Sequence, residues 1–135
     1  MDKALNYMAL ARKAGRIELG EEPVGAAARA QHARLVVVAS DASDHTWRRA
    51  KSFVAGTQQQ CIRVPFSKDE LGMAIGRTSL AIAAFTDPAL ALSFVKALPQ
   101  PEQSVLEALA ERTKRVQSRQ KEAKAHARNV RKGKK

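Results

Sequence analysis

Apolar runs separated by turn signals predict four strands in the first hundred residues. Residues 35–39 are continuously apolar and β-branched, which is typical of a strand buried on both faces of a largely parallel or mixed sheet. We expect this strand to be central. Three other segments have extended patterns: residues 16–19, 60–64 and 79–86. Arg63 suggests that residues 60–64 lie nearer an edge, and Pro65 ends that strand.

Apolar positions at helical spacing predict the first helices. Leu5, Met8 and Ala9 recur on one helical face, and Gly15 closes this first helix. A second helix is expected to follow Gly20, after the short strand at residues 16–19.

Capping residues mark the next helices. Asp41 and Ser43 can cap a third helix, which holds Trp47. Ser67 and Glu70 have the spacing of a capping box, in which the serine hydroxyl accepts from a backbone amide and the glutamate reaches back. Gly76 then stands at the C-terminal cap.

Asp87 and Pro88 start a last helix in the domain, so helices and strands alternate along the chain. This alternation predicts an α/β fold, a three-layer α-β-α sandwich with a mixed four-stranded sheet. We expect residues 1–99 to form the folded domain and residues 100–135 to form a basic C-terminal extension, helical or disordered.

Positive charge changes this picture. The chain has 135 residues with 24 Lys and Arg against 13 Asp and Glu, a net charge of +11. The last 35 residues carry +7 of this excess. A polyanion, nucleic acid above all, is therefore the expected partner.

The extension has one apolar cluster, Val105, Leu106 and Leu109. We expect a basic helix from about residue 102 to residue 126 that frays over residues 129–135 and binds phosphates by releasing counterions. A solvated tail that only aids solubility is the alternative.

Catalytic signatures are absent from the sequence. There is no phosphate-binding GxxxxGK[ST] loop and no GxGxxG fingerprint. His32, His45 and His126 are too scattered for a metal pair on one helix. Cys61, within a predicted strand, is interpreted as a buried structural thiol. We expect the protein to have no catalytic activity and to bind no metal and no cofactor.

The single cysteine excludes an intrachain disulfide and fits a reducing compartment. No apolar run approaches the length of a membrane helix, and the first residues lack the layout of a signal peptide. We expect a cytoplasmic monomer with no membrane contact.

Three features are candidates for contacting RNA and are expected to lie near one another: residues 12–16, residues 20–22 and residues 76–79. A helix start offers free amides to phosphates, and nearby arginines add charge. Arg48, Arg49 and Lys51 in the third helix are assigned to solvation, and Trp47 to packing.

Five motifs occur together in this order: LARKAG (10–15), GEE (20–22), ARLVVVASDAS (33–43), PFSKDELGMAIG (65–76) and AAFTDPALA (83–91). Through them, residues 3–98 resemble the kink-turn-binding ribosomal protein superfamily, which includes the large-subunit ribosomal proteins "seven-A-e" and "thirty-e", and most closely its small bacterial YlxQ-type members.

The resemblance implies an RNA-binding α-β-α sandwich in which the glycine-led start of the second helix faces the sheared G·A pairs of a kink-turn. A loop before the last strand would grip the same RNA. The candidate RNA-binding residues are then Arg12, Lys13, Arg16, Gly20, Glu21, Glu22, Arg77, Thr78 and Ser79.

The sequence departs from the family pattern at this helix start. Kink-turn binders of the superfamily follow the glycine with a variable residue, then Asn or Lys, then Glu or Gln, and a Lys three places later. Here Glu21 is followed by Glu22, Pro23 and Ala26. Acids repel phosphate and Pro23 lacks an amide donor, although Glu22 can accept from guanine. The same residues also suit an ordinary first helical turn.

Two functions remain open. The first is a non-catalytic RNA-binding protein that recognises kink-turn-like or ribosomal RNA at the ribosome or during its assembly. The second is a protein-interaction or assembly module whose basic tail alone binds RNA. A fragment of an RNA methyltransferase is a third interpretation, but no cofactor-binding region follows the domain.

Overall fold

A computed structural model describes residues 2–132, with side chains described through residue 124. Its elements in chain order are α1 (Lys3–Lys13), β1 (Ile17–Leu19), α2 (Glu21–Arg29), β2 (Leu35–Val38), α3 (Asp44–Val54), β3 (Gln60–Arg63), α4 (Lys68–Ala74), β4 (Ile82–Phe85), α5 (Pro88–Lys96) and α6 (Gln103–Lys132).

The four strands form one mixed sheet in the order β1-β4-β2-β3. β4 runs antiparallel to both of its neighbours, whereas β2 and β3 are parallel. β2 is therefore internal and β3 lies at an edge, which confirms both predictions about these strands.

Two groups of helices cover the sheet. α2 and α3 contact each other, while α1 contacts α4 and α5. α6 packs against α5. The described chain is thus the predicted three-layer α-β-α sandwich with a long C-terminal helix.

The core lies around the two internal strands. All residues of β2 and β4 are buried. On β4, Phe85 packs against Phe94 of α5 with ring centroids 5.0 Å apart. A tilted aromatic pair of this kind adds stability to that gained from buried apolar area.

The predicted capping residues hold their helix starts. The Ser67 hydroxyl accepts from the Glu70 amide at 3.1 Å, and the Glu70 carboxylate accepts from the Ser67 amide at 3.1 Å. Ser43 accepts from the Thr46 amide. Asp41 was expected to cap α3, and this was wrong: its carboxylate accepts from the Lys68 amide of α4 at 2.8 Å.

Strand β4 begins three residues later than predicted. The Leu80 amide donates to the Lys68 carbonyl at the start of α4, at 3.0 Å, so residues 79–81 form a loop that folds over α4. The hydrogen bonds to neighbouring strands begin at the Ala81 carbonyl, which accepts from the Ala39 amide, and at the Ile82 carbonyl, which accepts from the Gly20 amide.

Helix α6 extends further than predicted. The predicted fraying is wrong for residues 129–132, which are helical, and residues 133–135 lie outside the described residues. Val105 and Leu109, only 3% and 2% exposed, belong to the hydrophobic core. The boundary between residues 99 and 100 stays a prediction, but a cut there would remove two core side chains.

A methyl group at Gly72 tests the contact between α4 and the loop before β4. A Cβ at this position would lie 2.7 Å from the Ser79 nitrogen and 2.8 Å from the Arg77 oxygen. Gly72→Ala should therefore lower the free energy of unfolding by about 1–3 kcal/mol, measured by urea denaturation. Met73→Ala, at an exposed position of the same helix, should change it by less than about 0.5 kcal/mol. An unchanged Gly72→Ala protein would contradict this contact.

Gln59 is a buried polar side chain that joins α2 to the segment before β2. Its Oε1 accepts from the Ala33 amide at 2.9 Å, and its Nε2 donates to the Ala28 carbonyl at 3.2 Å. Gln59→Leu leaves the Ala33 amide without this partner, while the Ala28 carbonyl still accepts from the Gln31 amide. The free energy of unfolding should therefore fall by about 1–3 kcal/mol. In the same denaturation assay Gln60→Leu should have a smaller effect, because the Gln60 side chain donates only to the carbonyl of the exposed Gln58. Equal losses of stability in the two variants would contradict a structural role for the Gln59 hydrogen bonds.

Candidate nucleic-acid interface

The start of α2 is shaped by Gly20. This residue has φ +95°, a conformation that side chains rarely adopt, and it makes no side-chain cap. Its carbonyl accepts from the Val24 amide at 3.1 Å. The Glu21 and Glu22 amides precede the first helical hydrogen bond and point out of the helix end, where they can bind an anion.

The loop before β4 lies at the same end of the sheet. Arg77, Thr78 and Ser79 are all exposed. The Arg77 amide donates to the Gly72 carbonyl at 2.8 Å, which fixes the loop to α4. Because Gly20 pairs with Ile82, which closely follows the loop, the structure brings this loop and the α2 start together. We call them jointly the glycine end.

The two acids at the α2 start differ in their surroundings. Glu21 forms an ion pair with Arg49 of α3, and both side chains are about half exposed. The Arg49 guanidinium also lies 5.4 Å from the Phe53 ring centre. Assigning Arg49 to solvation was therefore wrong. Its charge offsets that of Glu21, whereas Glu22 is exposed to solvent.

Arg12, Lys13 and Arg16 lie elsewhere, so the expectation that all three features cluster was wrong. The Thr86 amide donates to the Arg16 carbonyl at 2.9 Å, whereas Gly20 pairs with Ile82. Four residue steps of extended chain, about 13 Å, separate these points. The antiparallel pairing of β1 with β4 therefore places the α1–β1 turn at the opposite end of the sheet.

Arg34 is a residue at this opposite end that the sequence did not single out. It precedes β2 and lines clefts on two sides, one toward α6 and one toward α2 and β1. The spacing of residues along the chain did not point to Arg34, because the residues that surround it come from distant parts of the sequence.

Trp47 is partly buried beneath cations. The Lys51 ammonium and the Arg63 guanidinium lie 5.3 Å and 5.0 Å from its ring centre. Cation–π contacts of this kind occupy the ring face, which fits a packing role.

Burial raises the pKa of the Cys61 thiol to about 11, and the nearby Lys51 only partly opposes this shift. The thiol therefore stays protonated at neutral pH and is a poor nucleophile. His32 and His45 are exposed on separate segments, and the side chain of His126 lies outside the described residues. Within the described part of the chain, no three metal-binding side chains cluster, and no helix has the length and apolarity to cross a membrane.

Other proteins of known structure share this fold. No family model matches the chain. Among solved structures, a Bacillus halodurans protein of unknown function superposes with a TM-score of 0.68 at 25% identity, covering 74% of this chain and all of that one. A Giardia lamblia 15.5 kD RNA-binding protein superposes with a TM-score of 0.54 at 20% identity, covering 79% and 87%, and shares the fold.

A curated relative shares more of the sequence. The RNA-binding protein YlxQ of Enterococcus faecium is 36% identical over 75 residues, which are 56% of this chain and 72% of the relative. With this identity over most of the relative's length, and with the fold described above, the chain belongs to the YlxQ family.

Proposed function

We propose that this protein binds structured RNA, kink-turn-like or ribosomal, without catalysing a reaction on it. The observation that carries the proposal is the glycine end, where an α2 start without a side-chain cap adjoins an exposed loop bearing Arg77. The name of the Enterococcus relative, an RNA-binding protein, supports it. We also propose that the protein acts as a monomer in the cytoplasm, either on the ribosome or during ribosome assembly.

The α2 start supplies the donors for this role. The Glu21 and Glu22 amides face outward and can donate to phosphate or base oxygens. Pro23 provides no amide, so the donor set is smaller than at a helix start without proline. The exposed hydroxyls of Thr78 and Ser79 and the guanidinium of Arg77 add donors from the loop.

The acids do not exclude RNA from this end. Because Arg49 pairs with Glu21, the charge that faces an approaching phosphate comes mainly from Glu22. A carboxylate can accept hydrogen bonds from the amino and imino groups of guanine. Glu22 is thus assigned to base recognition, while Arg77 and the backbone amides hold the phosphates.

A second function is favoured by the exposed Pro23 and Ala26, which offer no polar groups on the first turns of α2. In that case the glycine end docks a protein and the basic extension alone binds RNA. The two functions differ in whether RNA shape matters to binding.

Discrimination between two RNAs tests the proposal. The full chain should bind a kink-turn RNA at least tenfold more tightly, about 1.4 kcal/mol, than the same RNA with Watson–Crick pairs in place of its sheared G·A pairs. Titrations at about 0.15 M salt mute the non-specific contribution. Arg77→Gln should reduce this preference at least threefold, because only the kinked backbone reaches the loop. Arg48→Gln on α3 makes the same charge change and should leave the preference intact.

The extension must be shortened with its core contacts in mind. A chain that ends at residue 117 keeps Val105 and Leu109, so it should fold and retain the preference for the kink-turn. Equal affinity for the two RNAs would contradict kink-turn recognition. Loss of binding to both in the shortened chain would favour the protein-docking function.

Glu22 can be tested separately. If its carboxylate accepts from guanine, Glu22→Ala should reduce the preference for the kink-turn at least fivefold, about 1 kcal/mol. Asp44→Ala removes an exposed acid from the first turn of α3 and is the matched control. Should both variants raise affinity for the two RNAs equally, Glu22 only repels phosphate and has no role in base recognition.

A further inference from the structure

Cations from three parts of the chain meet at the sheet end opposite the glycine end. β1 and β2 begin there and β4 ends there, as the bonds from Thr86 to Arg16 and from Gln60 to Arg34 show. Helix α6 passes the same place beside β3. We call this group of side chains the basic end: Arg12, Arg16, Arg34, Arg112, Arg115 and Arg119.

Arg34 has an unusual environment within this group. Its Nε and Nη1 atoms are buried and have no hydrogen-bond partner among the described residues. A guanidinium carries five donors, and buried donors without acceptors destabilise the folded chain. Arg34 as a whole is only partly buried, so a water molecule or an anion in the adjoining cleft can supply an acceptor.

Neighbouring cations further destabilise the charge of Arg34, and a bound anion would offset this effect. Burial lowers the pKa of the Arg34 guanidinium, and the charges of Arg112 and Arg119 lower it further. Asp87 opposes them, but its carboxylate also accepts from the Ala89 amide as the cap of α5.

Two other acids lie nearby: Glu18 of β1 lines the groove beside Arg16 and Arg34, and Glu111 is already paired. Glu111 accepts from Arg115 Nε at 3.4 Å, within one face of α6. Arg112 Nη1 donates to Gln58 Oε1 at 3.5 Å. This acceptor is neutral, so it does not balance the charge of Arg112. Positive charge at the basic end is therefore only partly balanced within the described chain.

Arg34 and the α6 arginines border one cleft of about 260 Å³. Gln31, Gln58, Arg112 and Arg115 also line it, together with Glu111, the one carboxylate on its walls, which pairs with Arg115. The cleft is thus surrounded largely by side chains that can donate hydrogen bonds, and an anion with several oxygens matches such donors.

The apolar residues of α6 hold its arginines in place. Leu109 is buried in the core, and Arg112 follows three residues later, on the same side of the helix. Val105 anchors the preceding turn. Arg112 therefore faces the cleft before any ligand binds.

We propose that this cleft, between Arg34 and Arg112, binds a backbone phosphate of RNA. The proposal rests on the RNA-binding function above and adds a second contact region at the other end of the sheet. A groove lined by Arg16, Glu18, Pro23, Ala26 and Arg34 runs between α2 and β1 from one region toward the other. A single RNA lying along this groove contacts both ends.

The chemistry suits a phosphate. Guanidinium groups bind phosphate oxygens through paired, charge-assisted hydrogen bonds. A phosphate at the cleft supplies acceptors for Arg34 and offsets the repulsion from Arg112. Inorganic phosphate shares this chemistry, so it serves as a probe for the site and as a test of which phosphate the site takes.

The first experiment compares thermal unfolding of the full chain in phosphate and in chloride at equal ionic strength. Phosphate near five times its dissociation constant should raise the wild-type midpoint by about 4 °C. Arg34→Gln should show no such rise, and its midpoint in chloride should exceed that of the wild type because the orphaned charge is gone. Arg48→Gln should respond to phosphate as the wild type does.

The second experiment measures RNA affinity against salt concentration. Each neutralised phosphate contributes about 0.7–0.9 to the slope of log affinity against log salt. Because the cleft would hold one phosphate, the double variant Arg34→Gln, Arg112→Gln should lower the slope by about 0.7–0.9, and Arg112→Gln alone by less than that. Arg48→Gln should leave the slope unchanged.

The outcomes separate this proposal from the proposed function. If wild-type protein does not bind RNA, both are wrong. If it binds RNA and the double variant keeps the wild-type slope, the phosphate site is wrong while the RNA-binding function stands. A phosphate response that depends on Arg34 without a change in slope would assign the cleft to a free anion and overturn its assignment to RNA.

Discussion

The position of β4 between β1 and β2, antiparallel to both, determines where every candidate contact lies. Ala83 of β4 is paired with Leu19 on one side and with Val37 on the other. This register fixes Gly20 at the end of the sheet where β4 begins and Arg34 at the end where β4 finishes. The glycine end and the basic end are therefore separated by the length of the strands, and a ligand must span that length to contact both.

Local signals in the sequence were sufficient to predict the helices and strands. They were not sufficient to predict which elements lie next to one another in the fold. Ser67 and Glu70 define a helix start through contacts within four residues, and the structure contains that capping box. Asp41 was misassigned because its partner, the Lys68 amide, belongs to a helix far along the chain. Alternating helices and strands leave strand order open, so Arg16 was placed beside Gly20 although the pairing of β1 with β4 separates them.

The candidate site shows the same division between local and distant information. The open start of α2 follows from Gly20, which the sequence shows. The charge state around it depends on Arg49, which lies on a neighbouring helix and offsets Glu21. Arg34 gave no signal at all, since its neighbours Arg112 and Arg119 come from the extension. Electrostatic environment is a tertiary property, and spacing along the chain does not encode it.

The first turns of α6 explain how the fold tolerates a cluster of cations. Full burial of an aliphatic side chain contributes about 1.5–3 kcal/mol, and Val105 and Leu109 are both buried. The interaction between partly solvated arginines is weaker, because solvent screens them. Apolar packing can therefore hold Arg112 near Arg34 despite their repulsion. Between residues 117 and 124 every side chain is exposed, so that stretch adds charge to the surface rather than packing to the core.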